Sequence, residues 1–228
     1  MCGRFSQFSH LEVLRKYFVI DNSDYDLPAR YNISPENQIG VIVEVEGKRI
    51  LRTMKWGLLP FWSKKPKMEY STINARGETL EVRPTFRHSF KTRRCIIPVD
   101  GFYEWKGPRG IKTPYYFHSK NDEPLAFAGL FDIWKSEEQT INSTAIVTTC
   151  ANDLVMKIHD RMPLILNDKE QDLWLNNETE DLDAIRALMT PYHGDNLDTY
   201  AVSTYVNDPS NEGSKCIEPI PSLLDYFE

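Results

Sequence analysis

Long apolar runs are missing from this chain. No stretch approaches the uninterrupted length that crossing a bilayer requires, so no membrane association is expected. The first twenty residues lack the apolar run and small-residue cleavage site of a signal peptide, and Arg4, Glu12, Arg15 and Lys16 interrupt them. Cysteine is scarce. Cys2, Cys95, Cys150 and Cys216 lie far apart with no C-x-x-C pair, which argues against a disulfide scaffold and against a zinc knuckle. No other metal-ligand cluster is spelled out, so neither a metal nor another cofactor is expected. These features suit a reduced, intracellular compartment. Repeats and low-complexity linkers are absent too, and 228 residues read as one domain, 1–228, with room for a sizeable core.

Basic charge is in short supply overall: 27 Lys and Arg against 33 Asp and Glu leave a net charge of −6. That excludes a simple nucleic-acid coat protein, but the charge is segregated. Lys48 to Lys112 holds 16 basic and 5 acidic residues, a local excess of +11 that leaves −17 on the remainder. Such asymmetry marks either a polyanion-binding face on an acidic body or a surface whose charges mix on folding. Aromatics interleave the basic segment in "MKWGLLPFWSKKPK" and "RPTFRHSFKTRR". Stacking rings beside cations are the usual equipment for holding single-stranded nucleic acid. Trp56, on a strand, reads as core; Trp62, beside Ser63-Lys64-Lys65, reads as exposed.

What is present in quantity is strand-like text. "IGVIVEVEGKRILRTMKWG" alternates and turns at Gly47, predicting a hairpin. "RCIIPVDGFYEW", "TPYYFHS", "PLAFAGLFDIW", "INSTAIVTTC" and "TYAVS" are β-branched and aromatic runs that predict strands. Helices are fewer. "FSHLEVLRKYF" has Ser9 and Glu12 at capping-box spacing, "NDLVMKIH" carries Asn152 as a cap, and "DKEQDLWL" and "ETEDLDAIRALM" open on acids. The tail "VNDPSNEGSKC" reads as loop. Strands outnumber helices without alternating with them, so the expected class is α+β, with a curved, largely antiparallel sheet flanked by helices.

Several residues could carry chemistry. Removal of Met1 would leave Cys2 with a free α-amine and a thiol on neighbouring carbons. An α-amine has a reference pKa of about 7.7–8.0 against about 10.4 for lysine, so roughly a tenth to a quarter of it is neutral near pH 7. It can attack an aldehyde to form an imine, and the thiol can then close a thiazolidine in an intramolecular step. Glu104, within "GFYEW", is either a general acid/base of raised pKa or a solvent-facing strand residue. His159 and Asp160 close a short helix before Pro163, where a histidine also serves as a plain helix terminator. Asn32 and Asn74 precede turn-forming text, the common structural setting for asparagine. Arg4 and Arg76 are placed to hold phosphates near Cys2.

Taken together, "MCGRF", "RYNISP", "MKWGLLPFW", "INARGET", "RRCIIPVDGFYEW", "AFAGLFDIW" and "IHDRMPLIL" span nearly the whole chain in that order. The set resembles the SRAP (SOS-response-associated peptidase) family, whose members crosslink covalently to abasic sites in DNA. The resemblance implies a compact domain around a barrel-like sheet. It also implies that Cys2 is the nucleophile, exposed when the domain's own autopeptidase activity or an aminopeptidase removes Met1. Asn74 would hold nucleophile and sugar, Glu104 would be the acid/base, and His159 would assist ring opening. Arg4, Asn32, Trp62, Arg76, Trp105 and Arg161 would contact DNA. The implied partner is single-stranded DNA carrying abasic sites, extending to replication-fork junctions. The implied protein is a cytoplasmic monomer, nucleoid-associated in a bacterium, that shields the lesion from strand cleavage. Two other readings use some of the same residues. One is an N-terminal-nucleophile cysteine peptidase or amidohydrolase; the other is a non-covalent single-stranded DNA-binding module indifferent to Cys2.

Overall fold

A computed structural model describes residues 2–24, 28–108, 110–179 and 181–220. Its first half contains β1 (Phe5–Gln7), α1 (Leu11–Phe18), β2 (Asn22–Ser23), β3 (Arg30–Ile33), β4 (Gln38–Val45), β5 (Lys48–Trp56), β6 (Asn74–Arg76), α2 (Arg87–Thr92) and β7 (Arg94–Val99). Then follow β8 (Gly101–Lys106), β9 (Thr113–Ser119), β10 (Leu125–Lys135), β11 (Thr140–Cys150), α3 (Asp153–Met156), β12 (Arg161–Pro163), β13 (Ile165–Leu166), α4 (Asp168–Leu175), α5 (Leu182–Ala187) and β14 (Leu197–Ala201). The larger sheet runs β12-β11-β10-β7-β4-β5-β2 and closes on itself where β5 pairs with β11, giving the barrel-like form. A second sheet, β14-β9-β8-β1-β3, lies against it through a shared core.

Period-2 alternation divides the barrel strands between two cores. Ile39, Val41 and Val43 of β4 join Met54, Trp56, Ile97, Phe127 and Ile146 in one cluster, together with Phe5, Phe102 and Phe117 from the second sheet. The intervening Ile42, Ile96, Ala128 and Val147 face outward onto the helices, meeting Leu14, Phe18, Phe90, Trp174 and Ile185. Both faces of these strands are thus covered, which is why they read as nearly continuous apolar text.

The hairpin forms as expected, with Glu46 and Gly47 at φ 51° and 72°, a turn whose twist matches the flanking strands. Asn152 caps α3 by accepting from Val155 N, and Asn167 with Glu170 forms a full capping box on α4. The expected Ser9–Glu12 capping box does not form: His10 is the N-cap of α1, and no side chain caps it. Asp100 accounts for this, accepting from the Ser9 hydroxyl and from the backbone N–H of Ser9 at 2.9 Å. A charged acceptor outcompetes a helix N–H for that hydroxyl. The tail expected to be loop contains two 3-10 turns, Thr204–Asn207 and Ser214–Cys216.

Gly101, at the junction of β7 and β8, has no room for a side chain. A Cβ there would lie 2.2 Å from the Tyr116 ring, whose hydroxyl is 2.8 Å from Ser6 Oγ. Gly101→Ala is therefore expected to destabilise the fold by about 1–3 kcal/mol through overpacking, read as a lowered midpoint in urea or thermal unfolding. An unchanged midpoint would show that Tyr116 swings aside freely.

Candidate active site around Cys2

Short local rules place each member of the site. β1 pairs with β8 from Phe5 onward, and Tyr103 N donates to Arg4 O at 3.0 Å, so the N-terminal segment follows β8 past the strand's formal end. This carries Cys2 into the main core, fully buried, where its thiol donates to Arg4 O at 3.7 Å. On β8, Phe102 and Glu104 share a face; Phe102 enters the core beside Cys2, and Glu104 is buried at 4% exposure. The alternate residues, Tyr103 and Trp105, face a separate aromatic cluster with Tyr116 and Val206. Glu104 is thus an inward-facing acid, the less common of its two sequence readings.

Asn74 comes from β6, which pairs parallel with β11 through Asn74↔Ile146 and Thr148↔Arg76. Its Nδ2 donates to Cys2 O at 2.7 Å, while its Oδ1 is buried with no hydrogen-bond partner among the described residues. A buried acceptor left unpaired beside a candidate nucleophile calls for an explanation, and a group bound at the site supplies one. Ala75 points into the core and Arg76, on the same side of β6 as Asn74, is exposed.

The electrostatics follow from burial. Desolvation pushes the Cys2 thiol well above its ordinary range, and the Glu104 carboxyl adds to the shift. Glu104 is itself pushed up by burial, partly offset by nearby positive charge, the N-terminal amine first and His159 after it. Both groups therefore favour their neutral, proton-bearing forms. His159 follows α3, with its backbone N–H on Val155 O at 2.8 Å. Its Nδ1 lies 3.0 Å from Arg161 N and 3.0 Å from Asp160 Oδ1. The one ring nitrogen is thus flanked by a backbone donor and a carboxylate oxygen, which fix the orientation of the imidazole.

The residues expected to meet DNA are placed in three groups. Arg4 donates through Nη1 to Asn32 Oδ1 at 2.6 Å and Val206 O at 2.9 Å, with its guanidinium 5.9 Å from the Trp105 ring. Asn32 is fully buried, and its Nδ2 meets Val206 O, Asp208 O and Asn211 O, so it holds Arg4 and the 206–211 loop rather than facing outward. Trp105 is half-buried and donates to Asn207 Oδ1 at 2.7 Å. Arg161 forms a two-pronged ion pair with Glu78 and donates to Thr148 O at 2.8 Å. Trp62 stands apart. Its loop is pinned by Leu59 N on Ser143 Oγ, Phe61 N on Asp132 Oδ2 and Trp134 Nε1 on Ser63 O. The ring is left 47% exposed over a groove of about 590 Å³ shared with Pro84, Arg87, His88 and Lys91. Trp56 is core, as its strand position predicts.

The basic segment is less free than its composition suggests. Arg94 is buried and donates to Trp174 O, Phe90 O and Lys91 O at the ends of α4 and α2, while Arg49, Lys55 and Arg93 pair with Asp172, Glu36 and Asp132. Arg76, Arg83, Arg87 and Lys91 remain exposed. Sequence reasoning missed Glu78 and the 206–211 loop. The Asn/Asp density of that loop was its one available signal, because a segment rich in short polar side chains often clamps other groups. No group of three or more His, Cys, Asp or Glu is placed to hold a metal among the described residues, and none of their helices is long and apolar enough to cross a membrane.

The barrel-like α+β scaffold thus folds the N-terminal segment beneath Asn74 and beside the buried acid Glu104. This chain belongs to the SOS response associated peptidase (SRAP) family, whose sequence pattern matches residues 1–209. It is 40% identical over 223 residues to the abasic site processing protein YoqW of Bacillus subtilis strain 168, covering 96% of this chain and 99% of that one. Identity to the abasic site processing protein HMCES of Xenopus tropicalis is 32% over 223 residues, covering 83% of this chain and 66% of that protein. A crystal structure of a protein from Bacteroides thetaiotaomicron superposes with a TM-score of 0.83 at 25% identity, covering 96% of this chain and all of that one (100%).

Proposed function

We propose that this protein processes abasic sites in single-stranded DNA by trapping them covalently on Cys2 after Met1 is removed. The observation that carries the reading is the hold of Asn74 on the Cys2 carbonyl beside a buried thiol and the buried acid Glu104. An abasic deoxyribose interconverts between a closed hemiacetal and an open aldehyde. Glu104, kept in its acid form by burial, delivers a proton to the departing ring oxygen, and His159 relays protons at the same site. The α-amine of Cys2 forms a bond to C1′, the carbonyl oxygen leaves as water, and an imine results. The thiol then adds to C1′ and its proton passes to nitrogen, closing the thiazolidine. Consuming the imine suppresses β-elimination, so the strand is shielded. Arg4, Arg76 and Arg161 supply positive charge for the backbone, and Trp62 offers a stacking surface.

The raised thiol pKa supports this order of events over an amidohydrolase. Attack on an amide by cysteine needs a thiolate, and burial here works against one. As the second nucleophile, after the amine, the thiol adds within its own residue, where a high effective molarity offsets the low thiolate fraction. Intact mass of the purified full chain, with and without an abasic oligonucleotide, tests the reading. Loss of Met1 and a mass increment equal to the oligonucleotide minus water are expected. A chain that keeps Met1 and still forms the adduct contradicts the amine-first mechanism.

A further inference from the structure

Arg161 carries a feature that the covalent chemistry does not use. Its guanidinium is fork-paired to Glu78, with Nη2 meeting Oε2 at 3.0 Å and Nη1 meeting Oε1. Two parallel bonds from a guanidinium to two oxygens of one anion is also how arginine takes a phosphodiester. The partners are unequal. The Arg161 side chain is 13% exposed and is tied to Thr148 O at 2.8 Å independently of Glu78, whereas the Glu78 side chain is 50% exposed. Arg161 Nε is buried without a hydrogen-bond partner among the described residues, so the guanidinium has a donor left over. Glu78 sits in the short 3-10 turn Gly77–Thr79 directly after β6, and the exposed Arg76 also acts on its charge. Arg161 is fixed; Glu78, the more exposed of the two, is the partner that can turn into water.

We infer that the Glu78 carboxylate competes with a DNA backbone phosphate for Arg161, acting as a built-in counter-anion that sets how tightly the strand is held. The inference rests on the single-stranded DNA reading above. Displacing Glu78 breaks a fork-shaped pair, but the entering phosphate takes the same two donors of the 13% exposed Arg161 while the half-exposed carboxylate returns to water, and Arg76 and Arg161 then face the phosphate without their counter-charge. Strand binding thereby becomes an exchange of one anion for another rather than a net gain of a contact. Affinity for undamaged DNA is held down, while the position of Arg161 next to the His159 loop is preserved. A purely structural ion pair makes a different prediction: its loss loosens the β6–β12 region and leaves the salt dependence of binding unchanged.

The test uses the full chain and an undamaged single-stranded oligonucleotide, followed by fluorescence anisotropy over a series of KCl concentrations, so the covalent step does not enter. Glu78→Gln is expected to bind on the order of two- to fivefold more tightly at low salt, with the slope of log affinity against log salt steeper by about 0.7, one phosphate contact on a single strand. Glu78→Ala is expected to shift both readings in the same direction and guards against a local rearrangement specific to the amide. Adding Arg161→Gln to Glu78→Gln is expected to erase the gain. The double variant carries the parent's net charge, so a gain that survives in it does not act through Arg161 and overturns the inference. So does an unchanged or weaker affinity and slope in both Glu78 variants when the parent protein binds. A parent that fails to bind the oligonucleotide at any salt overturns the DNA reading itself, and this inference with it.

Discussion

Cys2→Ala is expected to abolish the adduct that survives denaturing electrophoresis with abasic single-stranded DNA. The variant tests the second nucleophile rather than the first. Alanine is small enough for Met1 to be removed, so an α-amine still faces the sugar, and an imine can still form. Without sulfur, the imine has nothing to close on; it hydrolyses back or proceeds to β-elimination. The thiol matters because it is intramolecular. Effective molarities of well-oriented groups reach about 10⁵–10⁸ M, far beyond any thiol in solution. Cys2→Ser separates the two steps further: borohydride should trap its imine, while the untreated complex falls apart on heating. An undiminished, heat-stable adduct in Cys2→Ala would place the linkage on another residue and end the proposal.

Glu104→Gln is expected to slow crosslinking by about 10²–10⁴-fold, the usual range for loss of a positioned proton donor. Gln retains the shape and the hydrogen-bonding edge but cannot release a proton. The pH profile adds a signature that a packing role would not produce. In the parent protein the amine must be neutral, which favours higher pH. Glu104 must be protonated, and burial raises its pKa, so its contribution falls as pH climbs through that raised value. The two requirements give a bell-shaped profile, and Glu104→Gln should lose the alkaline limb. Stability moves the other way. A carboxyl whose folded pKa is raised favours the fold below its unfolded pKa, and that contribution is lost as pH rises through the folded pKa. Glu104→Gln removes this penalty, so the variant should unfold no more easily than the parent at neutral pH. A wild-type rate and an unchanged profile would remove Glu104 from the mechanism.

Much of the fold was legible because period and punctuation are local signals. The Glu46-Gly47 turn and the Asn152 cap lie within a few residues of the backbone groups they satisfy. Ser9 shows the limit. Its spacing to Glu12 is that of a capping box, yet Asp100, 91 residues away, takes its hydroxyl. The candidate site was legible in part for the same reason. Asn74, Glu104 and His159 could be picked out by their setting in motif text, but the inward direction of Glu104 depended on how β8 lies against the N-terminal segment.

The sequence alone determined the strand-rich class, the hairpin, the Asn152 cap and a set of motifs specific enough to name a family. Only the tertiary structure decided the duties of individual polar side chains. Asn32 was expected at the DNA and is spent on carbonyls 174 to 179 residues away; Arg94 counts toward the basic segment yet is buried at helix ends. Glu78, unremarked in the sequence, reaches Arg161 across 83 residues. The physical reason is that alternation and capping specify which face a residue occupies, whereas a hydrogen-bond partner is specified by whichever distant backbone or charge the folded chain brings to that face.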